Sequence, residues 1–126
     1  MKVRDRMTEN PITIDLNACV SDAFALMKEH NFRRLPVMDK GKLVGIVTLG
    51  DLNKATPSMA TSLSIHELNY LLARTTIKDV LPLEQEVVTV SPDTYIETAA
   101  KIMRQHTVSG LPVMENGKLV GMVTET

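Results

Sequence analysis

The chain has 126 residues, 44% of them hydrophobic and 23% charged, with a formal net charge of −1. That length fits one domain, or two half-domains sharing a core. Near-neutral charge, 3% aromatics and no Trp exclude the basic footprint of a nucleic-acid binder and the stacking platform of a single-strand binder.

The core must therefore be aliphatic, with the eight Met residues counted as filling. The opening "MKVRDRMTENP" has no apolar h-region and does not read as a signal peptide. No apolar run approaches the ~18 residues of a membrane span. The one cysteine, Cys19, has no partner in the chain, which favours a reducing cytoplasm.

In chain order, "PITI" (Pro11 to Ile14) predicts a short β-branched strand. A helix follows, with Val20, Ala23, Met27 and His30 at helical spacing and Asn17 as its expected N-cap. "LPVM" and "LVGIVT" predict two strands joined through "DKGK", and a helix is expected to begin near Asp51. "NKATPSMATS" (Asn53 to Ser62) reads as loop. Ser64 and Glu67 then cap a connecting helix, "SIHELNYLLAR".

The second half repeats this order. "GKLVGIVT" from Gly41 returns as "GKLVGMVT" from Gly117, 76 residues later. The same shift aligns "VVTV" (Val87 to Val90) with "PITI", and Ile96, Ala99, Met103 and His106 with the first helix. "IKDVL" (Ile77 to Leu81) matches "VRDRM" (Val3 to Met7) at a shift of 74. Asp93 is the expected second N-cap, Thr94 and Glu97 a capping box, and "ENGK" carries Asn-Gly, the strongest short hairpin signal. Two copies are too few for a solenoid. They predict an α/β (α+β) fold of two pseudo-symmetric β-α-β-β repeats: residues 1–62, a linker helix over 63–76, and residues 77–126.

This tandem resembles a pair of CBS domains, the Bateman module. "GIVTLGDL" (Gly45 to Leu52) fits that family's Gly-x-x-Thr-x-x-Asp pattern, supported by "VSDAFALMKEH", the "LPV" strand and the repetition of the set. "KATPS" and the overall length are most similar to the CBS pair of the acetoin-utilisation protein AcuB group. The resemblance implies a regulatory module that binds adenosine-type ligands in clefts between its repeats: AMP, ADP, ATP or S-adenosylmethionine. Its alternative is a ligand-free dimerisation or interaction module.

On that resemblance, Asp51 accepts hydrogen bonds from ribose hydroxyls and Thr48 bonds ribose or phosphate; the competing reading makes Asp51 an N-cap and Thr48 a strand end. Arg33 suits phosphate, or else forms a solvated pair with Arg34. Ile12, Val88, Pro36 and Pro112 would line the adenine, or are simple core. In the second copy Ser109 replaces Arg33 and Thr124 is kept. The acidic position would follow Thr126, so the chain is expected to be a piece of a longer protein, with an ACT-type domain to follow if the AcuB likeness holds. Broad Ala, Met and Leu helix faces predict a homodimer, with Val20, Phe24, Met27, Ile96 and Met103 as candidate contacts. Catalysis finds no support. His30, His66 and His106 form no metal-ligand pair, Cys19 lacks a base, and no phosphate-cradling loop is present.

Overall fold

A computed structural model of the chain describes residues 1–55, 64–81 and 87–125. Its elements run β1 (Thr8–Glu9), β2 (Ile14–Asp15), α1 (Val20–His30), β3 (Arg34–Asp39), β4 (Lys42–Thr48), α2 (Leu49–Ala55), α3 (Ile65–Arg74), α4 (Ile77–Val80), α5 (Ile96–His106), β5 (Gly110–Glu115) and β6 (Lys118–Thr124), after a 3-10 turn at Val3–Asp5. The architecture is the expected mixture of helix and sheet built twice over.

Two compact units result, and they cut across the repeats. The middle unit is Thr13–Glu86; the split unit joins Met1–Ile12 to Val87–Thr126. In the middle unit β2 pairs parallel with β3, and β3 antiparallel with β4. In the split unit β5 pairs with β6, and β1 adds to β6 antiparallel. "VVTV" forms no full strand: only Val90 bridges, parallel to Val113.

Each unit takes its first segment from the other repeat, through matching bonds. Val3 N donates to the Thr94 carbonyl (2.8 Å) in the split unit, and Ile77 N to the Ala18 carbonyl (2.9 Å) in the middle unit. Val3 and Ile77 are both fully buried. The split unit's core gathers Val3, Val90, Ala99, Met103, Leu111, Val113 and Val123. Each Val, Leu or Met side chain among them contributes about 1.5–3 kcal/mol by leaving water.

The helical spacing is realised. Val20, Ala23 and Met27 are buried on α1, Ala99 and Met103 on α5, while His106 stays exposed. Both hairpins turn through two positive-φ residues, Lys40–Gly41 and Asn116–Gly117, the backbone of a two-residue primed turn. Gly121 is needed for a different reason: a Cβ there would lie 2.8 Å from the Met7 sulfur and 2.9 Å from the Thr8 carbonyl oxygen, where β1 crosses β6.

Several local expectations are corrected. The N-caps of α1 and α5 are Cys19 and Tyr95, without side-chain cap bonds. Asn17 N instead bonds Asp15 Oδ1 (2.8 Å), and Asp93 pairs with Arg4 and, at 3.9 Å, Lys2. Thr94 Oγ1 accepts Ser91 N (3.1 Å) rather than closing a box with Glu97. Asn53–Ala55 extend α2; the remainder of the expected loop, 56–62, lies outside the described residues. The Ser64–Glu67 cap of α3 forms as expected, with Glu67 N donating to Ser64 Oγ at 3.2 Å. The His66 side chain lies outside the described set. Of the candidate dimer contacts, Val20, Met27 and Met103 are buried within their own units and have no surface to offer; Phe24 and Ile96 remain half-buried.

Candidate functional site

β4 passes into α2 without a linker, and that junction holds the chemistry. Thr48 Oγ1 accepts Asp51 N (3.1 Å) while Asp51 Oδ2 accepts Thr48 N (2.9 Å). This is a reciprocal capping box. The cap is therefore Thr48, and Asp51 stands three residues inside, correcting the reading of Asp51 as the N-cap. A Thr-x-x-Asp spacing before a helix is a sequence signal for such a box. It recurs at Thr76-x-x-Asp79, where Asp79 Oδ2 accepts both Thr76 N and Thr76 Oγ1 at 3.0 Å. Those two bonds, the backbone one foremost, hold the Asp79 carboxyl below its ordinary value, against a small opposing effect of desolvation and with help from Lys78.

Arg33 belongs to the same end of the sheet. Its carbonyl accepts Leu49 N at 2.8 Å, and Thr48 pairs with Arg34 in the β3–β4 ladder. Arg33 and Thr48 are exposed and Asp51 half-buried. The Thr48 hydroxyl, the Asp51 carboxylate and the backbone of Arg33 thus meet at one strand-to-helix turn. The carboxylate has about four lone-pair positions, and the cap occupies one. The cap and hydrogen bonds from a vicinal diol are chemically compatible.

The split unit repeats the backbone and changes the side chains. The Ser109 carbonyl accepts Glu125 N at 3.1 Å, and Thr124 pairs with Gly110, so exposed Ser109 and Thr124 occupy the places of Arg33 and Thr48. Ile12 and Val88 are half-buried there. Pro112 is fully buried, its carbonyl accepting Val90 N at 3.1 Å. Pro36, in the middle unit, is likewise fully buried, paired with Ile46.

Among the described residues no group of three or more His, Cys, Asp or Glu is placed to hold a metal ion. No described helix is long and apolar enough to cross a membrane.

Comparison with known proteins adds to this geometry. The CBS domain family profile matches residues 3–58 and again 74–126. A crystal structure of a candidate acetoin utilization protein (AcuB) from Vibrio cholerae is 31% identical, with a TM-score of 0.79 over 99% of this chain and 84% of that one. The CBS domain pair of protein MJ0100, in complex with 5′-methylthioadenosine and S-adenosyl-L-methionine, is 29% identical with a TM-score of 0.77, over 98% of this chain and 89% of that one. CBSX2 in complex with AMP is 28% identical with a TM-score of 0.77, over 98% and 90%.

Proposed function

The chain belongs to the CBS domain family, a family of regulatory modules, and from that premise we propose that its ligand is an adenine nucleotide or related adenosyl compound: AMP, ADP, ATP or S-adenosylmethionine. The observation that carries this reading is the bonded pair of Thr48 and Asp51 at the β4–α2 turn, where the Arg33 carbonyl also accepts Leu49 N. Neighbours complexed with AMP, 5′-methylthioadenosine and S-adenosyl-L-methionine support the ligand class.

In this assignment Asp51 accepts from the ribose hydroxyls and Thr48 donates its hydroxyl proton, since its oxygen already accepts Asp51 N. Arg33 matches phosphate oxygens bidentately. Within the split unit, half-buried Ile12 and Val88 are the apolar candidates; Pro36 and Pro112, being fully buried, act only as the rigid strand backing of their own units. Ser109 and Thr124 form a weaker counterpart without the cation. The module acts as a cytoplasmic homodimer, with Phe24 and Ile96 as remaining candidate contacts, and biases an attached domain (an ACT-type domain is the candidate) or a partner.

Titration calorimetry with AMP, ATP and S-adenosylmethionine tests the assignment, with about one ligand per chain expected. A charge-assisted hydrogen bond contributes about 1.5–3 kcal/mol, so Asp51→Ala weakens binding roughly tenfold to a hundredfold. Arg33→Ala weakens AMP and ATP but leaves adenosine nearly unchanged. Because Asp51 also caps α2, Asp79→Ala is the control: it removes the matching box on α4 and leaves affinity intact. Two equal sites, or normal binding by Asp51→Ala, overturns the reading.

A ligand-free interaction module is the second reading, favoured by Thr48 and Asp51 already being bonded to each other. Absence of any thermal shift with these ligands selects it.

A further inference from the structure

An asparagine side chain can be attacked by the backbone nitrogen of the next residue, and the fold sorts the six Asn residues of the chain by whether that nitrogen is free to act. Asn10 precedes Pro11, which carries no amide proton to lose. The amide after Asn17, that of Ala18, bonds the Asp15 carbonyl at 3.0 Å, and the amide after Asn31, that of Phe32, bonds the Met27 carbonyl at 2.9 Å. Asn53 and Asn69 lie inside α2 and α3, where the following amide is tied into the helix ladder. Asn116 is different. It and Gly117 are the loop residues of the β5–β6 hairpin, at φ 52° and 78°, and both are exposed. In a two-residue loop the closing bonds run between the flanking residues, here Glu115 and Lys118, so the Gly117 amide is not consumed. Gly117 has no side chain to shield its nitrogen, and nothing lies within 4 Å of the place where a Cβ would stand.

We propose that Asn116 is a site of spontaneous covalent modification. The Gly117 nitrogen attacks Asn116 Cγ, sheds its proton and expels ammonia, closing a succinimide ring. Water then opens the ring at either carbonyl and leaves aspartate or isoaspartate at position 116. Water is the sole co-reactant, and nothing is oxidised or reduced. Either product replaces an amide by a carboxylate, so the turn gains one negative charge beside Glu115. The two products differ in what they do to the fold. Asp-Gly suits the same primed turn, so aspartate keeps the hairpin. Isoaspartate carries the main chain through the former side chain, one methylene longer. A two-residue loop that holds Glu115 opposite Lys118 cannot take the extra atom without opening the end of the ladder. The first repeat supplies an internal comparison: Lys40 and Gly41 turn at φ 51° and 79°, and lysine offers no amide to attack. The same backbone is thus permanent in the middle unit and alterable in the split one.

The test ages the whole folded chain in mildly alkaline buffer, since the attacking nitrogen must lose its proton. Peptide mass spectrometry locates the change, and labelling by an isoaspartyl methyltransferase separates the two products. The expected result is loss of the amide at Asn116, with both products there, while the other Asn residues keep theirs over the same period. Asn116→Gln abolishes the signal, because its ring is larger and closes far more slowly. Asn116→Asp unfolds at the parent's midpoint, and the purified isoaspartate form unfolds at a lower one. Retention of the amide at Asn116 in the folded chain overturns the proposal, most pointedly where the urea-unfolded chain loses it, since the turn would then hold the two atoms apart. Earlier loss at Asn17 or Asn31 overturns the sorting by free amides on which the proposal rests.

Discussion

The middle and split units are near-copies in backbone and unlike in what completes them. Each builds a helix, a hairpin turning through two positive-φ residues, and a buried first segment borrowed from the other repeat. The middle unit finishes its apolar face with α2 and ends α1 on Asn31, a residue suited to the left-handed backbone (φ 56°). The split unit leaves a cleft beside α5 and ends that helix on Thr107 (φ 55°). It also squeezes β1 against β6 at Gly121. Local sequence therefore sets the shared backbone, and the differences collect where a segment arrives from elsewhere in the chain.

The borrowed segments give the largest expected effect. Ile77→Ala in the middle unit and Val3→Ala in the split unit each remove a fully buried side chain. Large-to-small changes at such positions cost about 2–5 kcal/mol, with valine, the smaller loss, toward the lower end. Denaturant unfolding measures both. If either variant unfolds like the parent, its segment is not part of that unit's core.

This exchange marks the limit of what the sequence made legible. The 76-residue shift, the helical face of Val20, Ala23 and Met27, and both hairpins were readable because periodicity and turn chemistry are local. That Val3 lies with Ala99 and Met103, 96 and 100 positions away, was not, because no local pattern encodes which repeat a three-residue turn will join. The N-caps failed on position: the caps lie two residues later, at Cys19 and Tyr95, and Asp93 pairs instead with Arg4 of the borrowed segment. At the site, Arg33, Thr48 and Asp51 were legible as a motif. The reciprocal pair of bonds that joins Thr48 and Asp51 is written in the Thr-x-x-Asp spacing. Of the dimer candidates, Val20, Met27 and Met103 were misread because helical apolar spacing marks the face turned inward, and that face is spent on each unit's own core.

A second comparison concerns the crossing at Gly121. A methyl group there meets backbone as well as the Met7 side chain, so Gly121→Ala displaces β1 and costs about 1–3 kcal/mol, the usual range for overpacking. Met7→Ala in the same chain recovers only part of the loss, because the Thr8 carbonyl cannot retreat without moving the strand. Full recovery in the double variant would place the whole conflict on the methionine.

The helix ends offer a reciprocal pair. A β-branched residue in the left-handed region is unfavourable, whereas Asn visits it readily. Thr107→Asn should stabilise the split unit by about 1 kcal/mol or somewhat less, and Asn31→Thr should destabilise the middle unit by a similar amount. Equal and opposite shifts in unfolding midpoint would show that the two ends differ only in this residue.

The smallest effect is expected from Asp79, whose box on α4 belongs to the middle unit alone: the Val3–Asp5 turn of the split unit has Lys2 N bonding Asp5 (2.8 Å), and Lys2 offers no hydroxyl. Hydrogen bonds from Thr76 N and then Thr76 Oγ1 favour the ionised Asp79 carboxylate. Its folded-state pKa therefore lies below the unfolded one, and the unfolded chain binds the proton more tightly. The box's contribution is fully present above the unfolded value of about 4 and fades as pH falls through the lower folded value. Asp79→Asn should remove that slope, so parent and variant differ most near neutrality and converge in acid. Thr76→Val keeps the amide donor and loses the hydroxyl, and should retain most of the slope because the backbone bond is the larger cause. Unfolding midpoints from pH 7 to pH 2.5 read all three chains. Should Thr76→Val flatten the profile as fully as Asp79→Asn, the hydroxyl rather than the amide would be the group that holds the proton off.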